Sequence, residues 1–401
     1  MYTYEELTNK SVHTLRVILR ELGGVPRVSD KKQLIDGIVA IQNGENPPTR
    51  SPRGRKPIEN KFISLEDDFE LNELKMSDIP FGERITVKGV VEIVNGKYGF
   101  LRGEDCSFNN RNSYILLSTI NQFNLKSGDE IDAVSEKMRD SSILTVVEIL
   151  SINGFLASKP IQRQSFEFLV PRYPTEKYKL NYEKDENLLG DIDLICPIGK
   201  GQRTLLTVDG DRYDDVLKRL IKAISKSNPE TNVMSLLIGV KPEEIAEYND
   251  LDGCINTSIA DCDGSSTNLR KIELFFEKVK RFSECYLDVV VIVNSMNALV
   301  KFFAKNQENS ESGIFNAKKF FSQSGNYEKG GTVTFIAVLN GEESEIYTEL
   351  SQVATNEIVL KGCNKRGNAI SLDLKKSYTV KDELLLSPEE IKKADNKRES
   401  C

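Results

Sequence analysis

The chain has 401 residues, 39% hydrophobic and 29% charged, with a net charge of -7; that length accommodates two or three domains and a sizeable buried core. The longest apolar runs, such as 289–293, are far shorter than a membrane span, and the opening MYTYEELTNK is too acidic and polar for a signal peptide, so the expectation is a cytoplasmic protein. Seven cysteines with no CxxC pair and a single histidine, His13, read as reduced thiols without a zinc site, and leave no Ser-His-Asp or Cys-His centre unless His13 serves.

Residues 5–43 have helical patterning. LRVILRELGG (15–24) carries apolar residues at helical spacing and stops in Gly-Gly; SDKKQLIDGIVAIQNG (29–44) opens on a Ser-Asp cap and closes in Asn-Gly. A small helical bundle over 1–44 is expected. A linker follows over 45–80, and its stretch 45–61 holds four prolines and five basic residues. Residues 1–63 hold 11 Lys and Arg against 7 Asp and Glu, so the acidic excess lies further on. Phosphate binding depends on such local clusters rather than on the total, although simple solubility explains the basic run equally well.

Between 82 and 153 the period shortens to that of strands. ITVKGVVEIV (85–94), the hairpin signal Asn95-Gly96, KYGFLR (97–102), YILLSTI (114–120), DEIDAVSE (129–136) and ILTVVEILSI (143–152) predict a small barrel of the oligonucleotide-binding kind, placed at 81–155. After a connector (156–188), residues 189–401 alternate strand and helix. The strands are expected at 204–208, 233–238, 255–260, 289–295, 332–339 and 357–361, with helices notably at 214–226 and 268–282. Continuous apolar strands separated by helices predict a largely parallel sheet covered on both faces. A short helix at 387–394 precedes a charged tail, DNKRESC, which reads as a frayed end.

The barrel carries the first chemical constellation. Tyr98, Phe100 and Arg102 are spaced by two and share one face of a strand. Aromatic rings on a barrel face stack bases, at roughly 1–3 kcal/mol per base, and Tyr114 on the next strand is positioned to join them. The alternative is that one of these rings packs the barrel core.

The YGFLR strand, the turn FNLKSGD (123–129), FEFLVPRYPTEKYKL (166–180), CPIGKGQR (196–203), LLIGVKPEEIAE (236–247), DVVVIVNS (288–295), EKGGTVTFIAVL (328–339) and EIYTEL (345–350) together resemble transcription termination factor Rho, and the resemblance runs through most of the chain. It implies a cold-shock-type barrel that prefers pyrimidine-rich single-stranded RNA, followed by a RecA-like ATPase domain that forms a hexameric ring; the partners expected besides RNA are copies of the same chain or an authentic Rho. Tyr98, Phe100 and Tyr114 fall on the family's base-stacking aromatics and Arg102 on the basic residue beside them. Ser141 and Ile143 replace the carboxylate and tyrosine that the family sets against a base.

The nucleotide half departs further from the family. A phosphate loop needs glycines for close backbone approach, a lysine for the phosphates and a hydroxyl for Mg²⁺. Here the loop reads DGDRYDD: Tyr213 stands at the last glycine, Asp214 at the lysine and Asp215 at the hydroxyl residue. Reversing one charge 4 Å from a phosphate matters by about 4 kcal/mol at an effective dielectric near 20. Val240 stands at the water-activating carboxylate, Asn294 at the metal-orienting aspartate and Gly362 near the arginine finger. The segment NSESGIFNA (309–317) reads as a shortened translocation loop, NGEES (340–344) is acidic where the family has a lysine and a glycine, and no counterpart of the family's C-terminal packing helices is expected. The expectation is therefore an RNA-binding Rho-like regulator or competitor that needs neither ATP nor Mg²⁺. An active RNA-dependent ATPase with a divergent loop and an interaction scaffold with incidental RNA binding are the alternatives.

Overall fold

A computed structural model describes residues 4–8, 15, 18, 31–43, 82, 84–108, 113–137, 144–159, 162–180, 187–210, 213–259, 266–307, 310–341, 344–362 and 370–400. His13, Ser141, Ile143, the basic run 45–61 and most of the helix expected at 15–24 lie outside them. The chain divides into two compact units, residues 1–65 and 66–401. No helix among the described residues is long and apolar enough to cross a membrane.

In the first unit, helix α1 (Tyr4–Thr8), helical residues Leu15 and Ile18, and helix α2 (Lys31–Gln42) bury Leu7, Leu15, Ile18, Leu34, Ile35 and Ile38 against one another. The i, i+3, i+4 spacing of 31–42 produces that apolar face.

The second unit opens with the barrel: β1 (Arg84–Val94), β2 (Tyr98–Arg102), β3 (Ser113–Ile115), β4 (Glu130–Lys137), β5 (Leu144–Ile152) and β6 (Phe155–Leu156), in the order β3-β2-β1-β4-β5-β6 and closed by a β3–β5 pairing. Asn95 and Gly96 both take positive φ, 52° and 65°, as a two-residue hairpin turn requires. The expected strand over 114–120 is corrected. Only its first two residues extend; Leu117–Phe123 forms helix α3, which buries Ile120 in the barrel, leaves Leu116 and Leu117 exposed, and ends on Asn124 in the left-handed region. Gly128, in the turn before β4, has φ +93°, and a side chain there would collide with the backbone at Glu277. The turn therefore lies directly against the next domain.

After β7 (Val170–Arg172) and α4 (Asn187–Ile195) comes the α/β layer. Its elements are β8 (Arg203–Val208), α5 (Asp214–Ser227), β9 (Asn232–Ile238), α6 (Pro242–Asn249), β10 (Cys254–Ile259), α7 (Ser266–Glu284), β11 (Val289–Val293), α8 (Met296–Gln307), α9 (Ser310–Phe321), β12 (Asn326–Glu328), β13 (Val333–Asn340), α10 (Glu345–Ser351), β14 (Asn356–Lys361), β15 (Ser371–Leu372), β16 (Tyr378–Thr379) and α11 (Pro388–Glu399). The sheet order β10-β9-β11-β13-β8-β14 is parallel throughout, with β15 and β16 added antiparallel to β14. This is the parallel sheet that the alternating pattern predicts, in the RecA-like form that the family resemblance implies. Alternate strand residues feed two cores: Val289, Val291, Val293 and Phe335 pack under α7, α8 and α9, while Val290, Ile292, Ile336 and Val338 pack under α4 and α5.

Two further expectations are revised. Residues 310–317 are not a loop but the first turns of α9, where Gly313 lies so close to α8 that a Cβ would stand 2.7 Å from the Val300 carbonyl. The C-terminal tail is not frayed over its described length: α11 continues to Glu399, Lys397 pairs with Asp191, and Arg398 donates to the Ile195 carbonyl at 2.9 Å.

Candidate nucleic-acid interface and nucleotide cleft

Strand β2 alternates as its sequence dictates. Gly99 and Leu101 turn inward, Leu101 joining Val91, Ile115 and Ile131 in the barrel core, and Tyr98, Phe100 and Arg102 take the outer face. The β2–β3 register sets Tyr114 opposite Phe100. The three rings form one half-buried cluster: Tyr98 and Tyr114 stack at 5.7 Å and 28°, and Phe100 meets them edge-on at 5.6 and 6.0 Å. None of them enters the barrel core, so a continuous aromatic platform faces outward.

Arg102 shares that face but is only 4% exposed. Its Nε donates to Glu92 Oε2 at 2.7 Å, and its guanidinium lies 4.6 Å from the Phe100 ring centroid and 4.2 Å from that of Phe108. It supports Phe100 from behind. Glu92 was legible in principle, because the Asn95-Gly96 turn sets it opposite Phe100. Phe108, beyond β2, and Arg270, on α7, carry no local signal; both reach this cluster only through the tertiary fold.

At the C-terminal edge of the parallel sheet, Tyr213, Asp214, Val240 and Asn294 line one cleft of about 320 Å³, together with Glu244 and Lys301. Four of the six positions singled out in the nucleotide half thus converge. Asp215 is exposed on α5, and Gly362 follows β14, its N–H donating to Asp209 Oδ2 at 3.1 Å; neither lines the cleft.

The groups in the cleft are engaged with one another. Asp214 opens α5 and accepts a hydrogen bond from the Tyr248 hydroxyl at 3.0 Å. Burial raises the Asp214 carboxyl above its ordinary range, and the neighbouring Glu244 and Asp215 add to the effect against the pull of Tyr248 and Lys218. Asn294 is 4% exposed and spends both ends of its carboxamide on one residue: Oδ1 accepts from the Ile238 N–H at 2.7 Å and Nδ2 donates to the Ile238 carbonyl at 3.2 Å. Val240 offers the cleft only an apolar side chain.

Fold and site together define a protein class: an oligonucleotide-binding barrel with an aromatic face, joined to a RecA-like α/β domain. Residues 87–157 match the family described as Rho termination factor, RNA-binding domain. The chain is 29% identical to the transcription termination factor Rho of Aquifex aeolicus over 98% of this chain and 87% of that one. It is 31% identical to the Rho of Neisseria gonorrhoeae, over 83% and 88%, and 30% identical to that of Chromobacterium violaceum, over 80% and 84%. The chain belongs to the transcription termination factor Rho family.

Proposed function

We propose that this Rho-family chain binds single-stranded, pyrimidine-rich RNA on the Tyr98, Phe100 and Tyr114 platform and acts on transcription termination without hydrolysing ATP, as a regulator or competitor of an authentic Rho. The observation that carries the reading is the cleft where Asp214, Val240 and Asn294 meet.

Phosphoryl transfer relies on positioning and on electrostatic stabilisation of a polyanion. The residues present do not fit a nucleoside triphosphate with its Mg²⁺. Asp214 sets a carboxylate where an ammonium is needed. Asn294 has both ends of its amide committed to Ile238 and brings no charge to a metal. Val240 has no group that can take a proton from water. The aromatic face needs none of these parts, since base stacking and backbone electrostatics suffice for single-stranded nucleic acid. The intact parallel sheet favours action within a ring over simple competition for RNA, because a competitor needs only the barrel.

The test is ATP turnover by the purified protein with and without poly-cytidine RNA, alongside RNA binding followed by fluorescence anisotropy. RNA binding that Tyr98→Ala and Phe100→Ala each weaken by about tenfold, with no RNA-stimulated turnover, is the expected result. RNA-stimulated hydrolysis overturns the inactive assignment. Mixing with labelled authentic Rho and finding only separate species on sizing would rule out action within the ring.

A further inference from the structure

The geometry points to Arg270, on helix α7 of the α/β domain, as a positioning residue for the barrel's RNA face; the inference rests on the reading that Tyr98, Phe100 and Tyr114 stack bases.

Glu92 links the two domains at this point. It lies across the β1–β2 hairpin from Phe100, and its side chain is 12% exposed. One oxygen, Oε2, accepts from Arg102 Nε at 2.7 Å. The other, Oε1, accepts from Arg270 at two atoms, Nε at 2.9 Å and Nη2 at 2.7 Å. Two donors from one planar guanidinium fix the direction as well as the distance of the contact. Phe108 completes the assembly, with Arg102 4.2 Å and Arg270 4.8 Å from its ring centroid.

A continuous set of contacts therefore runs from Arg270 through Glu92 to Arg102, and from Arg102 to the ring of Phe100. Glu273, close enough to feel both Arg270 and Glu92, adds a second carboxylate to the two guanidiniums, so Arg270 acts here by orienting Glu92 rather than by adding net charge to the foot of the platform. Without Arg270, Glu92 neutralises Arg102 alone, one carboxylate oxygen loses both its donors, and Phe108 loses one of its two cations. Arg102 then has more freedom to move, and the orientation of Phe100 relaxes with it. The side chain of Arg270 is 29% exposed, so a direct contact with an RNA phosphate is the competing role that the experiment must separate.

The experiment measures binding of a short labelled oligocytidylate to the full chain by anisotropy at several salt concentrations, with the thermal midpoint of every variant recorded. Arg270→Ala is expected to bind roughly tenfold more weakly than wild type, with the slope of log affinity against log salt unchanged. Because Arg270 acts through Glu92, the double variant Glu92→Gln with Arg270→Ala is expected to bind no more than about twofold more weakly than the worse single variant. Arg270→Lys is not expected to restore affinity, since an ammonium cannot reproduce the planar fork. Should Arg270→Ala fail to fold, Arg270→Gln, which keeps the stem, is held to the same criteria. Wild-type affinity in Arg270→Ala, alongside a loss in Tyr98→Ala, overturns the inference and leaves the base-stacking reading standing. Additive losses with a salt slope reduced by about one make Arg270 a phosphate contact instead. Unchanged affinity in Tyr98→Ala overturns the base-stacking reading itself.

Discussion

Asn294 and Asp214 each hold a specific contact at the cleft on the C-terminal edge of the sheet. The Asn294 carboxamide clips the end of β11 to Ile238 at the end of β9, through one donated and one accepted hydrogen bond. The near-isosteric Asn294→Asp removes the donor and presses a buried carboxylate against the Ile238 carbonyl. The expected cost is about 2–3 kcal/mol, read as a lower midpoint in urea unfolding; an unchanged midpoint would show that the clip contributes nothing. Asp214 carries a pH signature. Its folded pKa lies above the ordinary 3.8, so ionisation weakens the fold. The penalty is absent below the ordinary value and grows as pH rises through the folded one. Asp214→Asn should therefore raise the thermal midpoint relative to wild type at pH 7 and lose that advantage near pH 3.5. A difference that does not vary with pH would contradict the assignment.

At the scale of elements, helix α7 fastens the barrel to the sheet. Lys278 is 1% exposed and spans the junction: its Nζ lies 2.7 Å from Glu130 Oε2 on β4 and donates to the Glu104 carbonyl at 3.0 Å. Glu284, fully buried at the end of α7, receives Lys126 at 3.2 Å and the Phe166 N–H at 2.9 Å. Removing one partner of a buried pair leaves the other uncompensated. Lys278→Met should cost about 3 kcal/mol in denaturant unfolding, softened by the Lys88 contact to Glu130 at 3.4 Å; a cost under about 1 kcal/mol would place the junction's strength in its apolar packing instead. Helix α11 is held by a capping box between Ser387 and Glu390, and Ser387→Ala should cost about 1 kcal/mol, visible as a lower thermal midpoint. The two misread elements have local causes. The apolar run 114–120 looks like a strand, but of the helical part only Ile120 is buried in the core, with Phe123 packed against it, and the helix stop at Asn124 is the signal that separates the two. Gly313 looked like a loop residue, whereas it is a glycine of close helix packing between α8 and α9.

At the scale of the molecule, the barrel and the α/β domain belong to one compact unit. Val90 on β1 and Cys106 beyond β2 are fully buried in the same cluster as Ile272 and Phe275 of α7. Burial of Cys106 also pushes its thiol up to about 12, which leaves it inert as a nucleophile. A shared core predicts shared stability: in hydrogen exchange under rising denaturant, β1, β4 and α7 should lose protection together. Barrel amides that open well before those of α7 would show two independent domains.

The division between sequence and structure follows from the range of the interactions involved. Strand alternation, the Asn95-Gly96 turn, the continuous apolar strands and the single strand face shared by Tyr98 and Phe100 depend on neighbours a few residues apart, and the sequence alone determined them; that this face turns outward was decided by the fold. The carboxylate at Asp214 is likewise a matter of residue identity alone. The tertiary structure alone decided that Asp214, Val240 and Asn294 share one cleft, that Asn294 serves the backbone of Ile238, and that Arg102 is buried behind Phe100. It alone brought Arg270 to Glu92, 178 residues away in the chain, because no local pattern encodes which helix face meets which strand; packing of the barrel on α7 settles that.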